Sequence, residues 1–219
     1  MPLKRNLLKV HVKSVRTIAP RVYVLSFPRI VDFTAGQVIA IDLVDDGEPR
    51  LYSIASGEKD ENIEILFDEK PEGKLSPRMS ALLPGDDLYV SEPFGTFSSG
   101  MEPGYWIAAG TGVAPFVSMA RSGLAANKIL VQGGRYDSNF YFSDELEKIF
   151  GENYVRCCSQ QPDTRFFHGR LTVWLTNQTN LPADYQYYLC GSPEMVVQVR
   201  DILIAKGIPF QNIISETYF

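Results

Sequence analysis

The sequence predicts two domains, an all-β half followed by an α/β half built on a doubly wound parallel sheet. Three observations carry this. Short apolar stretches at strand length recur through residues 1–95, divided by glycine, proline and aspartate turn signals. From residue 103 onward, apolar strands alternate with helical stretches. Between the two regimes lies GTFSSGMEPG, residues 95–104, a loop rich in glycine and serine.

The candidate strands of the first half are 8–16, 21–28, 37–43, 50–56, 62–67 and 87–92. Pro28, Ala35-Gly36, Asp45-Asp46-Gly47 and Gly57 mark turns between them. Strands at this spacing predict a closed antiparallel barrel or a sandwich. One segment departs, GKLSPRMSALLPG at 73–85. Ser76 followed by Pro77 reads as a helix cap and first-turn proline, and Pro84-Gly85 as the stop. In the second half, YWIAAG (105–110) is a buried strand and 115–124 a helix; KILVQGG (128–134) is a strand and 142–150 a helix. YVRCCS (154–159) and YQYYLCG (185–191) are strands, and 193–206 is a long helix.

Composition narrows the function. The chain has 219 residues, 45% of them hydrophobic, and a net charge of −5, which argues against nucleic acid or an anionic membrane as the main partner. Cys157, Cys158 and Cys190 are an odd set with no C-x-x-C spacing, so neither a disulfide framework nor a cysteine-ligated zinc or iron–sulfur site is expected. His11 and His168 are too far apart in sequence to suggest a histidine metal site. The segment MPLKRNLLKVHVKSV lacks a signal-peptide pattern, and no run reaches transmembrane length. A cytoplasmic protein is the expectation.

RLYSIAS, residues 50–56, is unusual for a strand that only packs a core. The period of two puts Arg50 and Tyr52 on one face, ~6.7 Å apart, with Ser53 on the other. A cation, a flat ring and a hydroxyl near one strand end suit an aromatic ligand with an anionic tail. Pro77, Pro115 and Pro193 each stand at a helix start, preceded by glycine with serine or threonine: Gly73…Ser76, Gly110-Thr111-Gly112 and Gly191-Ser192. Helix starts with free amides bind anions, and two of these three follow strands of the parallel sheet, where ligands of such sheets bind. GTGVAP carries Pro115 where the dinucleotide fingerprint has its last glycine. Arg135 stands where an acid would hold an adenosine ribose, which suits a 2′-phosphate; Asp137 nearby keeps a bare ribose possible.

RLYSIAS, EGKLSPRMSALLPGD, AAGTGVAPFVSM, LCGSPEMV and the terminal ETYF follow one another in the order found in the ferredoxin–NADP reductase superfamily, which this chain resembles. The GKLSPR segment and the E-x-Y-aromatic terminus are most similar to the bacterial ferredoxin/flavodoxin–NADP reductases. The resemblance implies a six-stranded antiparallel Greek-key FAD barrel at 1–98, and a pyridine-nucleotide domain at 99–219 that ends in a flavin-contacting C-terminus. It implies electron transfer between NADP(H) and ferredoxin or flavodoxin as a separate carrier. An NADH-dependent reductase component of an oxygenase is an alternative, as is a flavin-binding module without turnover.

The resemblance also implies roles for single residues. Arg50 would pair with the FAD pyrophosphate, Tyr52 would stack on the isoalloxazine and Ser53 would bond near flavin N5, with Leu51, Leu66 and Phe67 lining the same cofactor. Gly73, Lys74, Leu75 and Ser76 would cradle the pyrophosphate through backbone amides. Thr111 would touch both FAD and nicotinamide. Gly110, Gly112, Pro115, Cys190, Gly191 and Ser192 would line the nicotinamide path, with Gly134 and Met195 beside it, although Met195 by itself reads as core rather than as a ligand contact. Arg135, Ser159 and Arg170 would meet the 2′-phosphate; the family's serine–arginine pair reads Ser159-Gln160 here, and Arg165 is a possible substitute. Ser53, Cys190, Glu216 and Tyr218 would act at the reacting centre, with Tyr218 covering the flavin and Phe219 touching FAD. Lys4, Arg5, Lys9, Lys13, Arg16, Arg21 and Arg29 form a basic stretch that could steer an acidic carrier.

Overall fold

The computed structural model describes residues 6–45 and 47–217, the last of these by its backbone. They form two compact units. The first extends to Ser98 and includes Val117–Ser122; the second comprises Ser99–Phe116 and the chain from Gly123 onward.

The first unit is antiparallel β. Its strands are β1 (Leu8–His11), β2 (Ser14–Ala19), β3 (Val22–Pro28), β4 (Val38–Asp42), β5 (Arg50–Ser53), β6 (Asn62–Asp68) and β7 (Asp87–Val90). They form a four-stranded sheet, β1-β7-β4-β5, and a three-stranded sheet, β2-β3-β6. An Ile54–Ile65 bridge links the end of β5 to β6, giving a barrel-like pair of sheets. The expected strand 8–16 is two strands, because the chain changes sheet at its middle. The Val12 amide donates to the Asp86 carbonyl at 2.9 Å on the β7 side, and the Lys13 amide to the Ser26 carbonyl at 2.8 Å on the β3 side. Leu25, Phe27, Ile39, Ile41, Ile54, Ile63 and Ile65 fill the space between the sheets. Burying each stabilises the fold by about 1.5–3 kcal/mol as an upper figure. The short helix α1 (Ser76–Ser80) buries Met79 in the same core. In Val117–Ser122, Ser118 Oγ donates to the Ser56 carbonyl at 2.7 Å, and Arg121 donates to the Glu64 carboxylate at 2.8 Å.

The second unit is α/β. After β8 (Gly104–Ala109) comes the start of α2 (Ala114–Arg121), whose residues from Val117 count with the first unit; then follow β9 (Lys128–Gly134), α3 (Ser143–Phe150), β10 (Tyr154–Cys158), β11 (Phe167–His168), α4 (Leu171–Asn177), β12 (Gln186–Gly191), α5 (Pro193–Ala205) and β13 (Ile213–Thr217). The six strands form one parallel sheet in the order β11-β10-β9-β8-β12-β13. The chain moves outward from β8 to β11, then returns to place β12 on the other side of β8, so the order reverses at β8. Ligands of such sheets bind beyond the strand ends at that reversal. Trp106 is fully buried, stacked on Phe116 at 5.5 Å and edge-on to Phe150 at 5.8 Å. Tyr105 of β8 and its partner Tyr187 of β12 stack at 5.1 Å.

β11 and α4 escape the sequence pattern. β11 has two residues, and α4 is LTVWLTN, whose β-branched residues favour strands in isolation. The helix forms because Leu171 and Leu175 bury one face in the core of this unit. Among the described residues no helix is long and apolar enough to cross a membrane.

Candidate active site

In the first unit, the expected residues gather at the end of β5. β5 pairs with β4 so that Arg50 lies opposite Ile41 and Tyr52 opposite Ile39, which puts Arg50 and Tyr52 on one face. Arg50 is exposed and has no ion-pair partner among the described residues. Tyr52 is half-buried, its ring edge-on to Phe67 at 6.3 Å, and Phe67 in turn stacks on Tyr23 at 5.5 Å. Burial pushes the Tyr52 phenol up to about 12, so it stays neutral at physiological pH. Ser53 is 3% exposed, while Leu51 leaves 51% of its surface open, unusual for a leucine in a strand. Leu66 and Phe67, expected beside the cofactor, are both buried in β6.

The segment before α1 is a tight loop. The Gly73 amide donates to the Lys70 carbonyl at 2.8 Å, and the Lys70 amide to Ser76 Oγ at 2.9 Å. The Ser76 hydroxyl is thus drawn back into the loop instead of capping the helix, and Leu75 takes the cap position. The helix ends at Ser80, short of the expected Pro84-Gly85 stop. The amides of Lys74, Leu75 and Ser76 have no acceptor among the described residues, and Lys74 and Arg78 have no ion-pair partner among them.

The second unit brings the other expected residues to the carboxyl ends of β8 and β12. Gly110 turns the chain out of β8 with a φ of +58°, which favours glycine. A 3-10 turn, Gly110–Val113, leads into α2, whose second residue is Pro115. A Cβ on Gly112 would lie 2.4 Å from the Cys190 carbonyl oxygen, so this loop rests directly on the end of β12. Cys190 is buried, opposite Ala108 on one side and Glu216 on the other. The expected pair Cys190 and Glu216 are therefore neighbours across two strands. Ser192 caps α5, its Oγ accepting from the Met195 amide at 3.3 Å, with Pro193 next as the sequence pattern predicts. Met195 packs in the core of this unit.

Farther along the same edge, the turns after β9 and β10 lie side by side. The Ser159 amide donates to the Gly134 carbonyl at 3.0 Å, the Gln160 amide to the Arg135 carbonyl at 2.8 Å, and the Cys158 thiol to that same oxygen at 3.3 Å. Arg170 begins α4 two residues beyond β11, whose His168 pairs with Cys158. Arg135, Ser159 and Arg170 thus come from adjacent strand ends, and neither arginine has an ion-pair partner among the described residues. Arg165 lies 3.9 Å from Glu147. The Asp137 carboxylate accepts from Thr164 and Gln161, two residues for which the sequence offers no signal because they sit in an irregular loop. Cys157 is buried, which pushes its thiol up to about 12 and makes it inert.

Tyr218 and Phe219 lie outside the described residues, as do Lys4 and Arg5. Of the remaining basic stretch, Lys9 pairs with Asp87 at 2.7 Å, Arg16 with Glu64 at 3.5 Å and Arg29 with Asp32 at 3.9 Å, so much of its charge is compensated.

Comparison with known proteins decides the family. The oxidoreductase NAD-binding domain family matches residues 106–201. The ferredoxin–NADP reductase of Pseudomonas aeruginosa is 30% identical over 208 residues, covering 80% of each chain. The chain belongs to the ferredoxin–NADP reductase-like family of FAD/NAD-binding oxidoreductases. The electron transfer component of the 2-halobenzoate 1,2-dioxygenase of Burkholderia cepacia is 28% identical over 201 residues, 86% of this chain and 59% of that protein. Among solved structures, the ferredoxin NADP+ reductase of Neisseria gonorrhoeae shares the fold with a TM-score of 0.85 at 21% identity, covering 98% of this chain and 99% of that one. This reductase is accordingly a flavoprotein oxidoreductase that depends on a nicotinamide nucleotide.

Proposed function

We propose that this reductase moves electrons between NADP(H) and ferredoxin or flavodoxin as a separate carrier, through bound FAD. The observation that carries the nucleotide choice is the pair of exposed, unpaired cations, Arg135 and Arg170, at adjacent strand ends. A 2′-phosphate would supply the counter-charge they lack.

The residues of the first unit fit FAD. Three consecutive amides without acceptors and two unpaired cations, Arg50 and Lys74, suit a pyrophosphate, and the half-buried ring of Tyr52 offers an aromatic face. When bound, FAD supplies the exchange between a two-electron hydride and single electrons. In this reading Arg50 and the amides of Lys74, Leu75 and Ser76 fix the anionic tail. Tyr52 orients the ring system, and the buried Ser53 hydroxyl holds a hydrogen bond where charge develops. In the second unit Gly110 and Gly112 give the nucleotide close access to backbone at the sheet's reversal, and Ser192 keeps the start of α5 aimed at an anion. Cys190 and Glu216 line the nicotinamide place from neighbouring strands. The three cysteines of this sequence do not make a four-thiolate set, which supports a one-electron carrier held outside these residues.

A specific observation supports a second reading, an NADH-dependent reductase component of an oxygenase. Gln160 follows Ser159 where the resemblance leads one to expect arginine, and a dioxygenase electron transfer component is among the relatives.

Anaerobic stopped-flow reduction of the flavin-loaded protein by NADPH and by NADH, followed by mixing with ferredoxin or flavodoxin, separates the readings. NADPH is expected to reduce faster at subsaturating concentration. Replacing Arg135 or Arg170 by alanine is expected to raise KM for NADPH about tenfold and leave NADH nearly untouched, as loss of one charge-assisted contact implies. Equal or better kcat/KM with NADH in the wild type favours the oxygenase reading. A flavin bleached by neither nucleotide leaves only a binding module.

A further inference from the structure

The turn after β9 and the loop after β10 are joined by a side-chain latch in addition to their backbone contacts. Both oxygens of the Asp137 carboxylate are engaged: Thr164 Oγ1 donates to Oδ1 at 2.6 Å, and Gln161 Nε2 to Oδ2 at 3.3 Å. The Asp137 amide returns a bond to Gln161 Oε1 at 3.0 Å, so one residue uses both ends of the glutamine amide and fixes its orientation. Within the loop the Thr164 amide donates to the Gln161 carbonyl at 3.3 Å, and Thr164 Oγ1 accepts from the Phe166 amide at 3.3 Å.

The place of this latch gives it a consequence. In doubly wound sheets an acid beyond the second strand accepts the hydroxyl of an adenosine ribose. Asp137 is the first acid beyond β9, three residues past Gly134. Each of its charged oxygens already accepts one donor that fixes its orientation, and hydrogen bonds to a charged acceptor are the strong kind. Arg135, two residues earlier, has no ion pair with it or with any other described residue. This strand end therefore presents an anion held by hydrogen bonds and a cation without an ion-pair partner.

We propose that Gln161 and Thr164 are specificity-determining positioning residues: by holding the Asp137 carboxylate they withdraw it from a ribose 2′-hydroxyl and leave Arg135 and Arg170 to a 2′-phosphate. The proposal rests on the NADP(H) reading above. It assigns the choice between nucleotides to two neutral side chains that need not touch the nucleotide.

Steady-state kinetics of the flavin-loaded enzyme with ferricyanide as acceptor test this. Gln161→Leu combined with Thr164→Val is expected to raise kcat/KM for NADH about tenfold and lower it for NADPH. Both changes should fall in KM, with kcat at saturation moving less than twofold. Adding Asp137→Ala should abolish the NADH gain, because the released carboxylate is its source. Thr164→Ser keeps the hydroxyl and should keep the wild-type ratio. A merely loosened loop would weaken both nucleotides alike, and Asp137→Ala would reverse nothing. An unchanged ratio, equal losses, or a gain that survives Asp137→Ala overturns the proposal. If the double variant does not fold, Thr164→Val alone must shift the ratio in the same direction, and an unmoved ratio there overturns it too. A wild type that prefers NADH defeats the NADP(H) reading; the latch is still judged by whether the ratio moves toward NADH on release and back on removal of Asp137.

Discussion

Arg50, Tyr52 and Ser53 show how much chemistry four residues of strand can hold. The period of two placed the cation and the ring on one face, and the β4 register confirms that parity. The depth of each group was not legible: Tyr52 is half-buried because Phe67, fifteen residues later on β6, meets its ring. That burial has a pH signature. The neutral phenol is favoured in the fold, so its contribution to stability is complete below pH ~10 and is lost as pH rises from there through about 12. An ultraviolet difference titration of wild type against Tyr52→Phe should show Tyr52 ionising near 12; ionisation near 10 would mean the ring is solvated. Ser53→Ala should keep the flavin yet slow its reduction by roughly tenfold or more, as loss of one hydrogen bond at a charging atom implies. Single-turnover reduction at the wild-type rate would remove Ser53 from the mechanism.

At the scale of elements, the glycines and caps that begin helices carried the clearest signal. Gly191-Ser192-Pro193 opens α5 as the sequence predicts, whereas Ser76-Pro77 opens α1 one residue off, because the Lys70 amide captures the serine hydroxyl. A cap is a local contest, and sequence does not show which competitor stands nearby. The meeting of the β8 and β12 ends is likewise invisible until the sheet order is known. Gly112→Ala tests it: a Cβ 2.4 Å from the Cys190 carbonyl oxygen forces the two strand ends apart. The variant should lose about 1–3 kcal/mol of stability, in the range of overpacked cores, and should bind nucleotide more weakly. Gly123→Ala is the comparison for crowding, since a Cβ at that position meets nothing within 4 Å, although its φ of +85° strains any side chain. An unmoved transition for Gly112→Ala would show that the strand ends yield without cost.

For the whole molecule, cofactor and fold are linked through mass action. If FAD binds the folded chain and not the unfolded one, a hundredfold excess over its Kd stabilises the fold by about 2.7 kcal/mol. For a chain of 219 residues that corresponds to a rise in Tm of about 5–11 °C. Scanning calorimetry of the stripped protein with and without added FAD measures it, and an unmoved transition would contradict the flavin assignment. Glycerol or salt effects cannot imitate the result, because the shift must grow with the logarithm of FAD concentration.

By itself the sequence determined the two architectures, the positions of most strands, and the motifs RLYS, GKLS, GTGVAP and CGSP, because periodicity, proline and glycine act over a few residues. Tertiary structure alone decided the rest. It split the first long strand where the chain changes sheet at Val12 and Lys13, and it made a helix of LTVWLTN by giving Leu171 and Leu175 a core to enter. It set Cys190 beside Glu216 and Ser159 beside Arg135, and it closed the carboxylate of Asp137 behind Gln161 and Thr164. Each of these depends on which distant strand becomes a neighbour. That choice is made by burial summed over a whole core, and no short stretch of sequence contains it.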